Sequence, residues 1–213
     1  MHAELLDILD CTGRKTGAVM PRDEVHHVGA WHAAFHCLIV FQKDGVGCVL
    51  FQRRSEKKLI APGRFDVSVG GHYAAGESAE IAAPREIKEE LGIDVRFDDL
   101  FPIGRRVFVY CFTPGVVEYE FQDIFLLPRH VTPEGLVLQH GEVDAVLEMG
   151  ISNGIALFSG RRAGAYARLF GRNGMAEIEV RTEDFVQNPD NYYLKLLLIA
   201  GRYLMGRRED LVI

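Results

Sequence analysis

The chain has 213 residues, 48% of them hydrophobic and 25% charged, with a formal net charge of −6. That length is ample for a hydrophobic core, and the mild acidity speaks against a nucleic-acid binder, which usually presents a net basic face. Cys11, Cys37, Cys48 and Cys111 form no CxxC pair, the first residues lack the basic and apolar parts of a secretory leader, and no apolar run approaches the roughly 20 residues that span a bilayer. A disulfide-stapled secreted fold and a membrane span are therefore not expected, and a reducing cytoplasm is the expected setting.

In chain order, Leu5–Leu9 reads as an opening strand, followed by a turn at Cys11–Arg14 and a connection through Pro21. Phe35–Gln42 and Val46–Arg53 are rich in Val, Leu, Ile and Phe, and Lys43-Asp44-Gly45 joins them as a β-hairpin. Phe65–Val69 forms a short strand that ends at Gly70-Gly71. From Glu80 to Leu91 the period changes: Ile81, Ala83, Ile87 and Leu91 fall near helical spacing, with Ser78 as N-cap and Gly92 as stop. Val95–Leu100, Arg106–Phe112, Val116–Leu127 and Val143–Leu147 read as strands, with a turn at Thr113-Pro114-Gly115. Ile151–Asn173, glycine-rich with a weak helical period, reads as loop plus helix. Ala176–Arg181 reads as a strand, and Asn191–Leu204 as a helix capped by Asp190 and stopped at Gly206. The irregular alternation implies a mixed sheet between helices, an α/β (α+β) class, in one domain spanning 1–213 with a C-terminal extension from about residue 148.

The chemistry gathers in the segment Gly71–Ile93. Glu86, Glu89 and Glu90 are three and four residues apart, so on a helix their carboxylates emerge on one face and repel one another. Only Arg85 and Lys88 balance them locally. A hard divalent cation would offset that repulsion, and an all-oxygen ligand set selects magnesium or manganese. Glu77, in the loop before the helix, can reach the same cluster, and Gly70, Gly71 and Gly76 let backbone approach a ligand closely. An ExxEE stripe alone is more often a solvated helix face.

The longer pattern is more specific. Gly71–Ile93 resembles the Nudix box, G-x5-E-x7-R-E-U-x-E-E-x-G-U with U a bulky aliphatic, at every specified position. The strand pattern extends the resemblance over about residues 4 to 147. The resemblance implies a Nudix α/β/α sandwich, with Glu86, Glu89 and Glu90 as the main ligands of Mg2+ (or Mn2+) and Glu77 as an additional or water-bridged one. Arg85 would orient the glutamates and, with Gly71, border the substrate. Pro84 lies inside the expected helix, where a proline typically costs about 3 kcal/mol, so a kink or a later helix start is expected.

Gln52–Lys58, Pro62–Asp66 and Gly71-His72 further resemble bacterial Nudix hydrolases close to isopentenyl-diphosphate isomerase. By that resemblance Arg54 and Lys58 would bind a diphosphate. His32, His72, Glu118 and Glu120, with His26 or His27, fall where the isomerase holds a metal. The isomerase's acid, a cysteine just before the Gly-His pair, is Gly70 in this chain, and Cys37 lies on another strand. Hydrolysis is therefore expected: cleavage of a P–O–P bond in a nucleoside diphosphate linked to another group, with Glu89, Glu90 and Glu120 as catalytic candidates. An isomerase and a non-catalytic nucleotide-binding domain are the alternatives. Trp31, Phe65, Tyr73 and Tyr119 could stack on a base or simply pack the core. The expected partner is a small diphosphate rather than nucleic acid or membrane, and a homodimer through spare apolar surface on the last helix is conceivable.

Overall fold

The computed structural model describes residues 4–113 and 115–213, so Pro114 of the expected turn lies outside the described residues. In chain order the elements are β1 (Leu5–Leu9), β2 (Lys15–Pro21), α1 (Arg22–Val28), β3 (Trp31–Lys43), β4 (Val46–Arg54), β5 (Phe65–Asp66), β6 (Val69–His72) and α2 (Ala79–Leu91). There follow β7 (Phe101–Thr113), β8 (Val116–Pro128), β9 (Val143–Gly150), α3 (Ile151–Phe158), β10 (Ala165–Gly171), β11 (Gly174–Val180) and α4 (Tyr192–Leu204). The large sheet runs β11-β10-β9-β4-β3-β8-β7, with β5 on β4 and β6 on β3, while β1 and β2 pair separately. β3 and β8 run parallel, from Trp31 opposite Tyr119 to Val40 opposite Pro128. The other ladders of the large sheet are antiparallel, which makes it mixed.

Strand alternation divides the core into two layers. From β3, Phe35, Cys37, Ile39 and Phe41 join Ala83, Ile87 and Leu91 of α2 on one face of the sheet. Leu38 and Val40 point the other way, into a layer built with Leu157 of α3 and Tyr193, Leu196 and Leu197 of α4. Helices therefore cover both faces, an α/β/α sandwich. Ile87 and Leu91 are fully buried, and burial of each contributes roughly 1.5–3 kcal/mol to holding α2 in place. The β3–β4 hairpin closes through Asp44 (φ 51°) and Gly45 (φ 78°), the left-handed pair that suits a two-residue hairpin turn.

Several expectations are corrected. The stretch read as a connection through Pro21 contains β2 and α1. Val95–Leu100 is not a strand: Arg96 N–H donates to the Asp99 carboxylate, and Phe97–Asp99 forms a 3-10 turn in place of a ladder. Ile151–Asn173 divides into α3 and β10, and a helix joined to a strand explains its weak single period. Ser78 and Gly92 bound α2 as expected, although the Ser78 hydroxyl makes no capping bond, and Ile81 is exposed. Pro84 removes the donor for one carbonyl, yet the helix runs unbroken from Ala79. Asp190 is not the cap of α4. Asn191 takes that position in the left-handed region (φ 56°), and the Asp190 carboxylate accepts from Arg106. The apolar surface of α4, considered for a dimer, is largely consumed inside the chain, with Leu198 left exposed. Among the described residues no helix is long and apolar enough to cross a membrane.

Candidate active site

The box residues converge on a cleft beside β6. Glu86, Glu89 and Glu90 all line it, together with Glu4, Arg22, Lys58, Gly71, Arg85 and Glu142. The sequence places them there because Ile87 and Leu91 seal one side of α2 to the sheet, and a 3.6-residue period then turns residues 86, 89 and 90 toward the strand end. Arg85 ties the group together. Its Nε and Nη2 donate to Glu77 Oε1 (3.0 Å) and Oε2 (2.8 Å), and Nη1 donates to Glu86 (2.9 Å) and Glu89 (3.2 Å). Only a guanidinium fork satisfies three carboxylates this way. Glu77 also accepts from the Ala74 N–H at 3.0 Å, so both its oxygens are engaged in hydrogen bonds.

Glu86 and Glu90 are almost wholly buried while Glu89 stays at the margin. Burial pushes the Glu86 carboxyl up to about 7, against the opposing pull of Arg85, and pushes Glu90 up to about 8. Glu90 accepts from Gln52 Nε2 at 3.2 Å. Gly71 makes room for this acidic face: a Cβ there would stand 2.4 Å from Glu86 Cδ.

A second cavity, of about 270 Å³, lies across β6 and shares Arg22, Lys58, Gly70, Gly71, His72 and Glu142 with the cleft. Alternation along β3 and β8 directs His32, Glu118 and Glu120 to its side. The His26, His32 and His72 rings form a near-equilateral triangle with centroids 5.2–5.3 Å apart. One ligand atom from each of the three and from Glu120 lies within 4.8 Å of the others. His26, rather than His27, supplies the remaining histidine, because α1 folds back against β8. Glu120 accepts from His72 (3.2 Å) and Gln122 (2.5 Å). Burial alone would raise its carboxyl, but the histidines hold it well below the usual carboxylate range, whereas Glu118, buried beside it, is held well above.

The donor set fits a metal ion. His32 Nδ1 lies 3.0 Å from the Ala30 carbonyl and donates to it, which leaves Nε2 facing Glu120 Oε1, 3.3 Å away. His26 Nε2 and His32 Nε2 are buried without a hydrogen-bond partner among the described residues. Burial holds His26 down to about 4 and His72 to about 3, so both imidazoles are neutral and able to ligate.

Arg54 and Lys58 are not a solvated strand end; both side chains are mostly buried along the histidine cavity. Arg54 donates to the Ile60 carbonyl and lies 3.7 Å from Asp66, and Lys58 pairs with Glu142. The four aromatics considered for base stacking pack elsewhere: Trp31 against Tyr119 and Phe121, Phe65 against Phe185, and Tyr73 through its hydroxyl to Asp123. Sequence reasoning missed Arg22, His36, Gln52, Asn188 and Glu142. Their only common signal is three-dimensional, since they come from elements far apart in the chain.

An α/β/α sandwich with a carboxylate-lined helix beside a cavity of mixed charge offers both oxygen and imidazole donors to a divalent metal ion. The NUDIX domain family model matches residues 30–149, so the chain belongs to the Nudix family. An uncharacterized Nudix hydrolase of Clostridium acetobutylicum is 34% identical over 206 residues, covering 94% of this chain and 98% of that protein. Nudix hydrolase 3 of Arabidopsis thaliana is 37% identical over 153 residues, 68% of this chain but only 19% of that protein. The isopentenyl-diphosphate Delta-isomerase of Mycolicibacterium vanbaalenii is 38% identical over 94 residues, 44% of this chain and 50% of the isomerase. A solved structure from Deinococcus radiodurans superposes with a TM-score of 0.55 at 20% identity, covering 74% of this chain and 90% of that one. The protein is a Nudix hydrolase, cleaving a pyrophosphate linkage.

Proposed function

We propose that the substrate is a nucleoside diphosphate joined to a second group, cut at its P–O–P bond by water with Mg2+ or Mn2+. The observation that carries this reading is the junction of the two cavities: the acidic cleft and the pocket that holds Arg22, Arg54 and Lys58 meet at Gly70-Gly71-His72, where one diphosphate can touch both. Glu86, Glu89 and Glu90 would hold the ion. When bound, such a cation neutralises phosphate oxygens and acidifies a water ligand. Arg54 and Lys58 hold the phosphate that does not react, and Arg85 keeps the glutamates in register. The proton of the attacking water would pass to a carboxylate of this cluster, Glu89 or Glu90, or to Glu120 across β6. Gln52 holds one oxygen of Glu90 and leaves the other to the cleft.

His26, His32, His72 and Glu120, with Glu118 beside them, would hold a second ion, and a set of three imidazoles and a carboxylate favours manganese, zinc or iron over magnesium. Isomerisation is disfavoured by position 70, which offers no acid, while Cys37 is fully buried on the α2 side with its thiol pushed up by burial. The working arrangement is a single domain in the cytoplasm. The test is a library of nucleoside diphosphate compounds with Mg2+, read as released phosphate or mononucleotide, for wild type, Glu89→Gln and Glu90→Gln. Turnover abolished by both substitutions is expected. Turnover of isopentenyl diphosphate with none on the library would overturn the reading.

A further inference from the structure

Across β6 from Glu86 lies a histidine that the reaction above does not use. His36 sits on β3 directly opposite Gly70. A Cβ at residue 70 would meet His36 Cδ2 at 3.2 Å and Nε2 at 3.4 Å, so the imidazole occupies the space that any side chain at that position would need. Its Nδ1 lies 2.9 Å from the hydroxyl of Tyr192, which begins α4 in the C-terminal extension. Among the described residues that hydroxyl has no other partner, so it satisfies its proton only by donating to Nδ1. Tyr192 is fully buried and stays protonated, and the Arg106 guanidinium, 4.0 Å over its ring, strengthens it as a donor. Donation to Nδ1 leaves the proton of the neutral imidazole on Nε2, and His36 lines the histidine cavity.

That cavity runs on past the residues it shares with the cleft. Arg22 and Lys58 belong to the region shared with the acidic cleft, where the diphosphate lies in the reading above, on which this inference rests. His36, Phe108, Gln122, Val186 and Asn188 line the cavity but not the cleft, and His36, set against Gly70, stands where the shared region passes into the rest of the cavity. Val186 and Asn188 come from the extension. Asn188 Oδ1 is fixed by Arg106, which also bonds Gln122 and Asp190.

We propose that His36 is a specificity-determining residue, whose Nε2–H, aimed into the cavity by Tyr192, donates to a neutral acceptor oxygen (a hydroxyl or carbonyl) on the group attached to the diphosphate. Tyr192 is then a positioning residue, and the C-terminal extension is a wall of the substrate site. The His36→Ala variant leaves that oxygen unpaired and raises KM for the best nucleoside diphosphate substrate about tenfold, with kcat within about threefold. His36→Gln, whose amide can donate from a similar place, recovers most of the loss. Inhibition by imidodiphosphate, which has no such group, changes less than about twofold in either variant. For Tyr192→Phe, 15N-edited spectra of the histidine ring show the Nε2–H form of His36 giving way to a tautomer mixture.

An equal weakening of imidodiphosphate would place His36 on the phosphates and overturn the proposal, as would a pure Nδ1–H form in wild type or an unchanged KM in His36→Ala. Absence of hydrolysis in the wild type refutes the proposed reaction instead. The tautomer measurement still reports on the Tyr192 contact in that case.

Discussion

Gly71→Ala is the sharpest single perturbation of the acidic cleft. The added methyl would stand 2.4 Å from Glu86 Cδ and 2.7 Å from Cγ and Oε1. Ordinary contact needs about 3.4–3.6 Å, so the carboxylate must retreat by roughly 1 Å. Glu86 is a flexible side chain bordering an open cleft, so the retreat costs little stability, about 1 kcal/mol, at the low end for an overpacked site. The same displacement breaks the 2.9 Å bond from Arg85 and takes one oxygen pair out of the constellation. Misplacing a reacting group by 1 Å can cost about a hundredfold in rate. Steady-state kinetics with thermal unfolding should therefore show kcat/KM down by about two orders of magnitude and Tm within about 4 °C of wild type. Activity within a few fold of wild type would mean that Glu86 need not sit where Gly71 admits it, and the geometry of the acidic site would lose its role.

The metal-free protein should lose stability as pH rises. Glu86 and Glu90 titrate near 7 and 8 in the folded state against the ordinary 4.5, so between those values the folded chain keeps protons that the unfolded chain has released. The loss is on the order of 3 kcal/mol for Glu86, and added Mg2+ should raise Tm by about 5 °C more near pH 8 than near pH 5.5; a pH-independent shift would show that the ion binds elsewhere. His32→Ala should abolish tight binding of Mn2+ or Zn2+, measured by metal content after dialysis, while leaving weak Mg2+ binding at the glutamates intact. Arg85→Lys should lower kcat by about a hundredfold, because an ammonium cannot reproduce the fork onto Glu77 while holding Glu86 and Glu89; retained activity would reduce Arg85 to a point charge. Arg106→Met should cost about 2–3 kcal/mol in denaturant unfolding, since it strips the half-exposed Asp190 and buried Gln122 of their common donor.

The acidic half of the site was legible because everything that builds it is local. Ser78, Gly92 and the apolar pair Ile87 and Leu91 set the helix, and the helical period sets the carboxylates. Strand alternation likewise carried Glu118 and Glu120 to one face. The spacing left His26 and His27 equally eligible, because only the docking of α1 on β8 distinguishes them. α1 itself is seven residues long, too short for a period to emerge, and β2 is mostly exposed along its length. Arg96 and Asp99 defeated the strand expected at Val95–Leu100, where a side-chain turn outcompeted a ladder that the apolar pattern allowed. The far wall of the histidine cavity could not be read at all: Tyr192 meets His36 across 156 positions of sequence, a contact with no local signature.

Both halves nevertheless depend on the same four-residue strand. β6 carries no side chain at positions 70 and 71, and its pleat turns those two positions to opposite faces of the sheet. On the α2 face the vacancy at 71 is filled by Glu86, and on the α4 face the vacancy at 70 is bordered by His36. A strand this thin lets a ligand lying against its end reach the carboxylates of one layer and the imidazoles of the other, although the two clusters sit on opposite faces of the sheet. Oxygen donors suit a hard ion that comes and goes with a phosphate, whereas neutral imidazoles suit a more tightly held one. In the proposed reaction, keeping the sets on separate faces would prevent one ion from competing for both, and the glycine pair would keep them close enough to act on the same diphosphate.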